Sequence, residues 1–243
     1  MTVQQDFSCW AVTCFHQIII YFYLKGLTIM EKILFEQIPD LFASVGTLFV
    51  EKKEELCEMD AKLGDGDLGL TMSKGYAALP DIMRAEAEGA GGDIGKLLMK
   101  AGMKMSSLVP STMGFLMSTG VMEGGKALKG ATEIDGAALA KYLVGFAAGV
   151  QKRGKCEAGQ RTIYDAILPA SVAASEAAAA GADLEGVIKA ALEAAKGGVE
   201  ATKDMVPVFG KAAVHAAQCV GVEDQGAVAG YYKILGLNNY ICG

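Results

Sequence analysis

The chain has 243 residues, 52% of them hydrophobic and 21% charged, a composition that excludes an intrinsically disordered protein, while 31 glycines beside 5 prolines exclude a collagen-like repeat. With 22 basic and 28 acidic residues the formal net charge is −6, and no run of Lys or Arg follows a phosphate backbone, which argues against nucleic acid as a partner. The length fits one large domain or two small ones.

Residues 1–29 differ in character from the rest of the chain. Phe7 to Leu24 (FSCWAVTCFHQIIIYFYL) is a mostly apolar run of 18 residues, the threshold length for a membrane helix. His16 and Gln17 interrupt its middle, no basic segment precedes it and no clean small-residue cleavage site comes after it, which argues against a signal peptide. The leading reading is a dispensable extension or the product of an upstream start site, with a membrane anchor as the alternative. The working domain is expected over residues 30–243.

From Met30 the chain is rich in Ala, Leu, Met, Glu and Lys, which favour helix, and poor in β-branched or aromatic runs. Helices are expected near 31–63, 69–88, 93–107, 110–129, 135–153, 162–180, 183–203, 206–219 and 225–237, with no strand. Pro110 and Pro207 are expected at helix starts, where a missing N–H does no harm; Pro80 and Pro169 should kink or end a helix. Ala-rich faces such as ASVAASEAAAA at 170–180 let helices approach closely, and no linker divides the chain. These features point to one antiparallel all-α domain. The cysteines at 9, 14, 57, 156, 219 and 242 form no C-x-x-C pair and no Cys/His cluster, which argues against a zinc site or disulfide framework and for buried thiols in a reducing, cytoplasmic setting.

The most informative stretch for chemistry is DAKLGDGDLGLTM, Asp60 to Met72. Asp60, Asp65 and Asp67 alternate with Gly64, Gly66 and Gly69 between two helical patterns, and a loop turning at glycines can aim three carboxylates at one point. Such a cluster repels itself unless a hard divalent cation joins it, and oxygen-only ligands favour Mg2+ or Ca2+. GDGDLG matches the G-x-G-x-x-G dinucleotide fingerprint only in form, since no strand precedes it and two Asp side chains would face a bare pyrophosphate. An EF-hand loop fails as well, because its twelfth place falls on Tyr76 or Thr71 where Glu is needed. A plain turn whose Asp caps the next helix is the bland alternative, but one cap needs one Asp.

Unpaired N–H groups from Leu68 onward, at a helix start beside metal ions, make a place for polyphosphate, and Thr71 adds a hydroxyl. Val109-Pro-Ser-Thr-Met-Gly114 offers a second such start, or an ordinary N-cap. Gly120 to Ala127 fits a P-loop until Ala127 stands where Ser or Thr belongs. Thr162-x-x-Asp165 reads as a capping box, with Arg161 beside it able to meet a phosphate. His215, in KAAVHAAQC, reads as a packed or surface histidine.

From about Met30 to its end the chain resembles the nucleotide-binding L subunit of dihydroxyacetone kinases. The resemblance is carried by DAKLGDGDLGLTM, KRGKCEAGQRTIYDAILPA and GKAAVHAAQCVGVEDQGAVA, in that order. It implies a closed barrel of about eight antiparallel amphipathic helices holding ADP or ATP at one end through two Mg2+ ions. By position it makes Asp60, Asp65 and Asp67 metal ligands, Leu68, Gly69, Leu70 and Thr71 the backbone segment under the phosphates, and Thr112 and Met113 the second phosphate loop. Gly154, Ile163, Lys211, Asp224, Gln225 and Gly226 would line the rest of the nucleotide pocket, and no residue of the chain is assigned as catalytic. The departures lie in this pocket: Leu68 replaces the usual His of GDxDHG, PSTMG the usual GGxSG, Lys211 the usual Arg of GRA, and DQG the usual DPG.

The resemblance further implies phosphoryl transfer by positioning and charge neutralisation to a short ketose held on a separate K subunit. A phosphotransferase-system protein donates the phosphoryl group in one branch of the family and ATP in another, and the chain is expected in a homodimer or hetero-oligomer. The competing reading is a non-catalytic helical module that binds Mg-nucleotide or a lipid and regulates a partner.

Overall fold

The computed structural model describes residues 30–214, 216 and 219–243, the side chain of Lys211 excepted. The expectations for residues 1–29 and for His215 lie outside the described residues. Among the described residues the fold is all-α apart from one short ladder, in which β1 (Ile33–Leu34) pairs antiparallel with β2 (Glu133–Ile134), Ile33 opposite Ile134. The helices are α1 (Ile38–Glu51), α2 (Lys53–Leu63), α3 (Leu68–Ala90), α4 (Ile94–Leu108), α5 (Thr112–Ala127), α6 (Gly136–Gly154), α7 (Tyr164–Ala179), α8 (Leu184–Ala201), α9 (Gly210–Val214) and α10 (Gln225–Cys242). No helix among the described residues is long and apolar enough to cross a membrane.

Five helix starts among the described residues arise from side chains that satisfy the orphan N–H groups of a first turn. Asp93, Asp135 and Asp183 accept from Lys96, Ala138 and Gly186 at 3.0, 2.8 and 2.8 Å, and so start α4, α6 and α8. Three expectations change. The helix expected over 31–63 starts only at Ile38 and breaks at Lys52 (φ −93°, ψ 8°), which separates the strongly apolar face of α1 from the mostly polar α2. The helix expected over 206–219 shortens to α9, because Pro207 disfavours helical backbone at Val206 and Gly210 is left-handed at φ +66°. Pro110 falls one residue before the cap of α5 and Pro207 lies outside any helix, so neither occupies a first turn.

Pro80 and Pro169 lie inside α3 and α7 without ending them. Each removes the N–H that would bond the carbonyl four residues earlier, freeing Tyr76 O and Asp165 O. A glycine of the neighbouring helix faces each freed oxygen: a Cβ on Gly46 of α1 would stand 2.8 Å from Tyr76 O, and one on Gly198 of α8 would stand 2.2 Å from Asp165 O. The helices therefore close over the defects left by the prolines.

The main packing partners run α1 on α3, α3 on α4, then α4 to α8 in chain order, α8 on α10 and α10 back on α1. This neighbour order of eight helices returns to its start. Phe42, Phe49, Tyr76, Phe146, Met72 and Met83 are fully buried within it. Lys233 is buried with them, its Nζ 4.1 Å from the ring centre of Phe146 and 4.6 Å from that of Tyr142. Cys156 and Cys219 are buried and Cys57 half-buried, whereas Cys242 is exposed on the last turn of α10, against the expectation of uniformly buried thiols.

Candidate metal and nucleotide site

Asp60 lies in the last turn of α2, and Asp65 and Asp67 lie in the loop that leads to α3. One carboxylate oxygen from each of the three falls within 4.8 Å of the others, Asp60 buried and the other two exposed. Asp60 organises the loop: its Oδ2 accepts N–H groups from Gly66, Asp67 and Leu68 at 2.9, 3.1 and 3.3 Å. Two glycines make this geometry possible. A Cβ on Gly64 would stand 2.2 Å from Asp60 Oδ1, and one on Gly69 would stand 1.9 Å from the carbonyl oxygen of Lys53, where α3 meets α2.

The donor chemistry fits a hard divalent cation. With Oδ2 of Asp60 engaged by backbone, Oδ1 is the oxygen left to join the other two carboxylates. A neutral amide lies against it, Gln225 donating from Nε2 to Asp60 Oδ1 at 3.3 Å.

Two helix N-termini stand beside this cluster. In the first turn of α3 the N–H of Leu68 goes to Asp60 and that of Thr71 to the carbonyl of Asp67 at 3.0 Å, and Gly69 and Leu70 are the other first-turn residues, whose N–H groups the helix's own ladder does not pair. Leu68 buries its side chain, and Leu70 is about half exposed. In α5 the cap Ser111 accepts from Gly114 at 3.0 Å, and Thr112 and Met113 are the first-turn residues before that donor, outside the helix's own ladder. The hydroxyls of Thr71 and Ser111 are 3.3 Å apart, which joins the two N-termini. Ser111 is not among the residues expected at the site, although the position before the first helical residue is the one where a serine hydroxyl caps.

The remaining expected pocket residues divide. Gly226, Ile163 and Met113 are brought together: a Cβ on Gly226 would stand 3.2 Å from Ile163 N and 3.4 Å from Met113 Cε. Gly154 ends α6 beside Leu116 and Cys156, and the side chain of Lys211 lies outside the described residues. Asp224 is buried as the cap of α10, its Oδ2 accepting from Ala227 at 2.8 Å, and burial pushes its carboxyl up to about 6 in spite of Arg161. Arg161 is not open to a phosphate. Its guanidinium is buried against Asp224 Oδ1 (3.5 Å) and the carbonyls of Val222 (3.0 Å) and Glu223 (3.3 Å), and these contacts hold its backbone at φ +57°. Asp165 does more than cap α7: it accepts from Thr162 N at 2.7 Å and from Gly159 N at 2.6 Å, folding the loop between α6 and α7.

Fold and site together define an all-α domain that carries an acidic loop at a helix N-terminus. The chain belongs to the DAK2 domain family, matched over residues 62–239. Its relatives include the ADP-binding subunit DhaL of PEP-dependent dihydroxyacetone kinase 1 of Listeria innocua, 32% identical over 73% of this chain and 82% of that protein. The corresponding DhaL of Escherichia coli is 26% identical over 79% of this chain and 90% of that protein. The L-erythrulose kinase of Pectobacterium atrosepticum is 28% identical over 72% of this chain but only 30% of that protein. The fold matches the crystal structure of the dihydroxyacetone kinase of C. freundii with a TM-score of 0.61 at 23% identity, covering 84% of this chain. This chain spans about a third of that one, 34%.

Proposed function

We propose that this chain is the nucleotide-binding phosphotransfer subunit of a kinase that acts on dihydroxyacetone or a related short ketose. The observation that carries this reading is the placing of Asp60, Asp65 and Asp67 beside two N-termini joined through Thr71 and Ser111. Asp60, Asp65 and Asp67 would hold Mg2+, two ions in the full site, and the metal would supply neutralisation of phosphate charge. The N–H groups of Gly69, Leu70, Thr112 and Met113 orient the phosphate oxygens, aided by the dipoles of α3 and α5. Ile163, Gly226 and Met113 close the pocket further in, with Gly154, Lys211, Asp224 and Gln225 as its remaining candidates. Positioning and electrostatics then supply the catalysis, and no side chain of this chain is required as a general base.

The match to DhaL proteins over 82 and 90% of their lengths supports a separate-subunit arrangement. The ketose is then held on a K-type partner subunit. The names of those relatives, ADP-binding subunits of PEP-dependent kinases, support ADP as the resident nucleotide; in this reading a phosphotransferase-system protein is the donor, with exchanging ATP as the other branch.

The test is ketose phosphorylation by the purified full-length chain, alone and with a K-type subunit, supplied with ATP or a phosphotransferase-system donor. Activity is expected only with the partner. Turnover by the chain alone would reveal a substrate site of its own, and no turnover with any partner would leave a non-catalytic Mg-nucleotide module.

A further inference from the structure

Gln225 opens α10, yet its side chain turns to the acidic cluster. Nε2 donates to Asp60 Oδ1 at 3.3 Å, while Oε1 is buried and meets no donor among the described residues. A buried amide oxygen without a partner is unfavourable, and here the neighbouring chemistry supplies what it lacks. Asp60 Oδ2 already accepts three backbone N–H groups, so Oδ1 is the oxygen that carboxylate has left for a cation. A cation on Oδ1 repels the positive NH2 end of the amide now beside it and attracts the orphaned carbonyl end on the same carbon. The two ends exchange places by a half-turn about χ3 with no change of shape. A neutral oxygen also suits a site that already carries three like charges, because it adds a hard donor without adding repulsion.

Taking the cation site of the proposed function as given, we propose that Gln225 is its fourth protein residue, serving the cation through its amide oxygen beside Asp60, Asp65 and Asp67. This role differs from the nucleotide contact that the resemblance implies for the same position.

The probe is Mn2+, titrated into the full-length chain with equimolar ADP and followed by loss of the free-ion electron paramagnetic resonance signal relative to ADP alone. Gln225→Ala should weaken Mn2+ binding at least fivefold while the protein still unfolds in a single cooperative transition in EDTA, since Ala is well tolerated in the first turn of a helix. Gln225→Glu keeps an oxygen and should bind Mn2+ at least as tightly as the wild type. Wild-type affinity in Gln225→Ala, or a loss in Gln225→Glu equal to that in Gln225→Ala, overturns the inference; the second result would mean that the amide acts only by donating to Asp60. Asp65→Asn is the control that separates the two levels. If the wild type binds Mn2+ and Asp65→Asn does not, the cation site of the proposed function stands whatever Gln225 does; if the wild type adds nothing to ADP alone, both the cation site and the role of Gln225 fall.

Discussion

Lys233 presents an amine to the core beside the faces of Phe146 and Tyr142, and its Nζ meets no acceptor among the described residues. Burial pulls this amine down to about 7 from 10.5. The unfolded chain therefore keeps a proton that the folded chain releases between those values, and stability climbs with pH across that window, by at most ~1.4 kcal/mol per unit. Urea denaturation at pH 7, 8 and 9 should show this rise in the wild type; Lys233→Met should be more stable at pH 7 and lack it, and parallel curves would contradict the account. Asp65 and Asp165 make a second contrast, one carboxylate in the acidic cluster and the other engaged by Gly159 and Thr162. Asp65→Asn should weaken Mg-ADP binding at least tenfold. Asp165→Asn should lower the melting temperature through loss of charge-assisted bonds of about 1.5–3 kcal/mol each, with a smaller effect on affinity. Equal effects on affinity would remove Asp65 from the cation site.

At the scale of elements, α2 and α3 meet through Gly69, and their contact sets the spacing of the acidic loop. Gly69→Ala drives a Cβ into the Lys53 carbonyl, so an overpacking cost of about 1–3 kcal/mol should outweigh the helix-propensity gain and spread Asp60 from Asp67, lowering melting temperature and Mg-ADP affinity together. Gly197→Ala, on an exposed stretch of α8 with open space around it, should stabilise by about 0.5–1 kcal/mol and leave affinity unchanged. The helices that open on Asp93, Asp135 and Asp183 were legible in the sequence because capping is a local interaction. The break at Lys52 was not, since neither Gly nor Pro marks it and the tertiary course of α2 requires it. The continuity of α3 and α7 through Pro80 and Pro169 was hidden for a related reason: Gly46 and Gly198, which receive the freed carbonyls, are remote in sequence. At the site, the clustering of Asp60, Asp65 and Asp67 could be read from their spacing, whereas the burial of Arg161 against Asp224 and the approach of Gln225 to Asp60 depend on where α10 returns in the ring.

As a whole molecule, residues Glu31–Gly243 form a compact unit with a core of their own, begun by Ile33 paired to Ile134. A chain starting at Met30 should therefore keep the helical circular dichroism, melting temperature and Mg-ADP affinity of the full-length protein; aggregation or loss of helicity would make residues 1–29 part of the fold. The acidic loop, the two N-termini and the pocket residues Ile163 and Gly226 come from α2, α3, α5, α7, α10 and the segments before them, so the ring assembles a site that no single element contains. The central claim is that this site binds nucleotide through a divalent cation held by the three aspartates. Calorimetric titration of the full-length chain with ADP, at saturating Mg2+ and again in EDTA, measures it directly. Saturable one-to-one binding with Mg2+ that weakens at least tenfold in EDTA is the expected result, and ADP binding of equal strength in both conditions, or in neither, would contradict it.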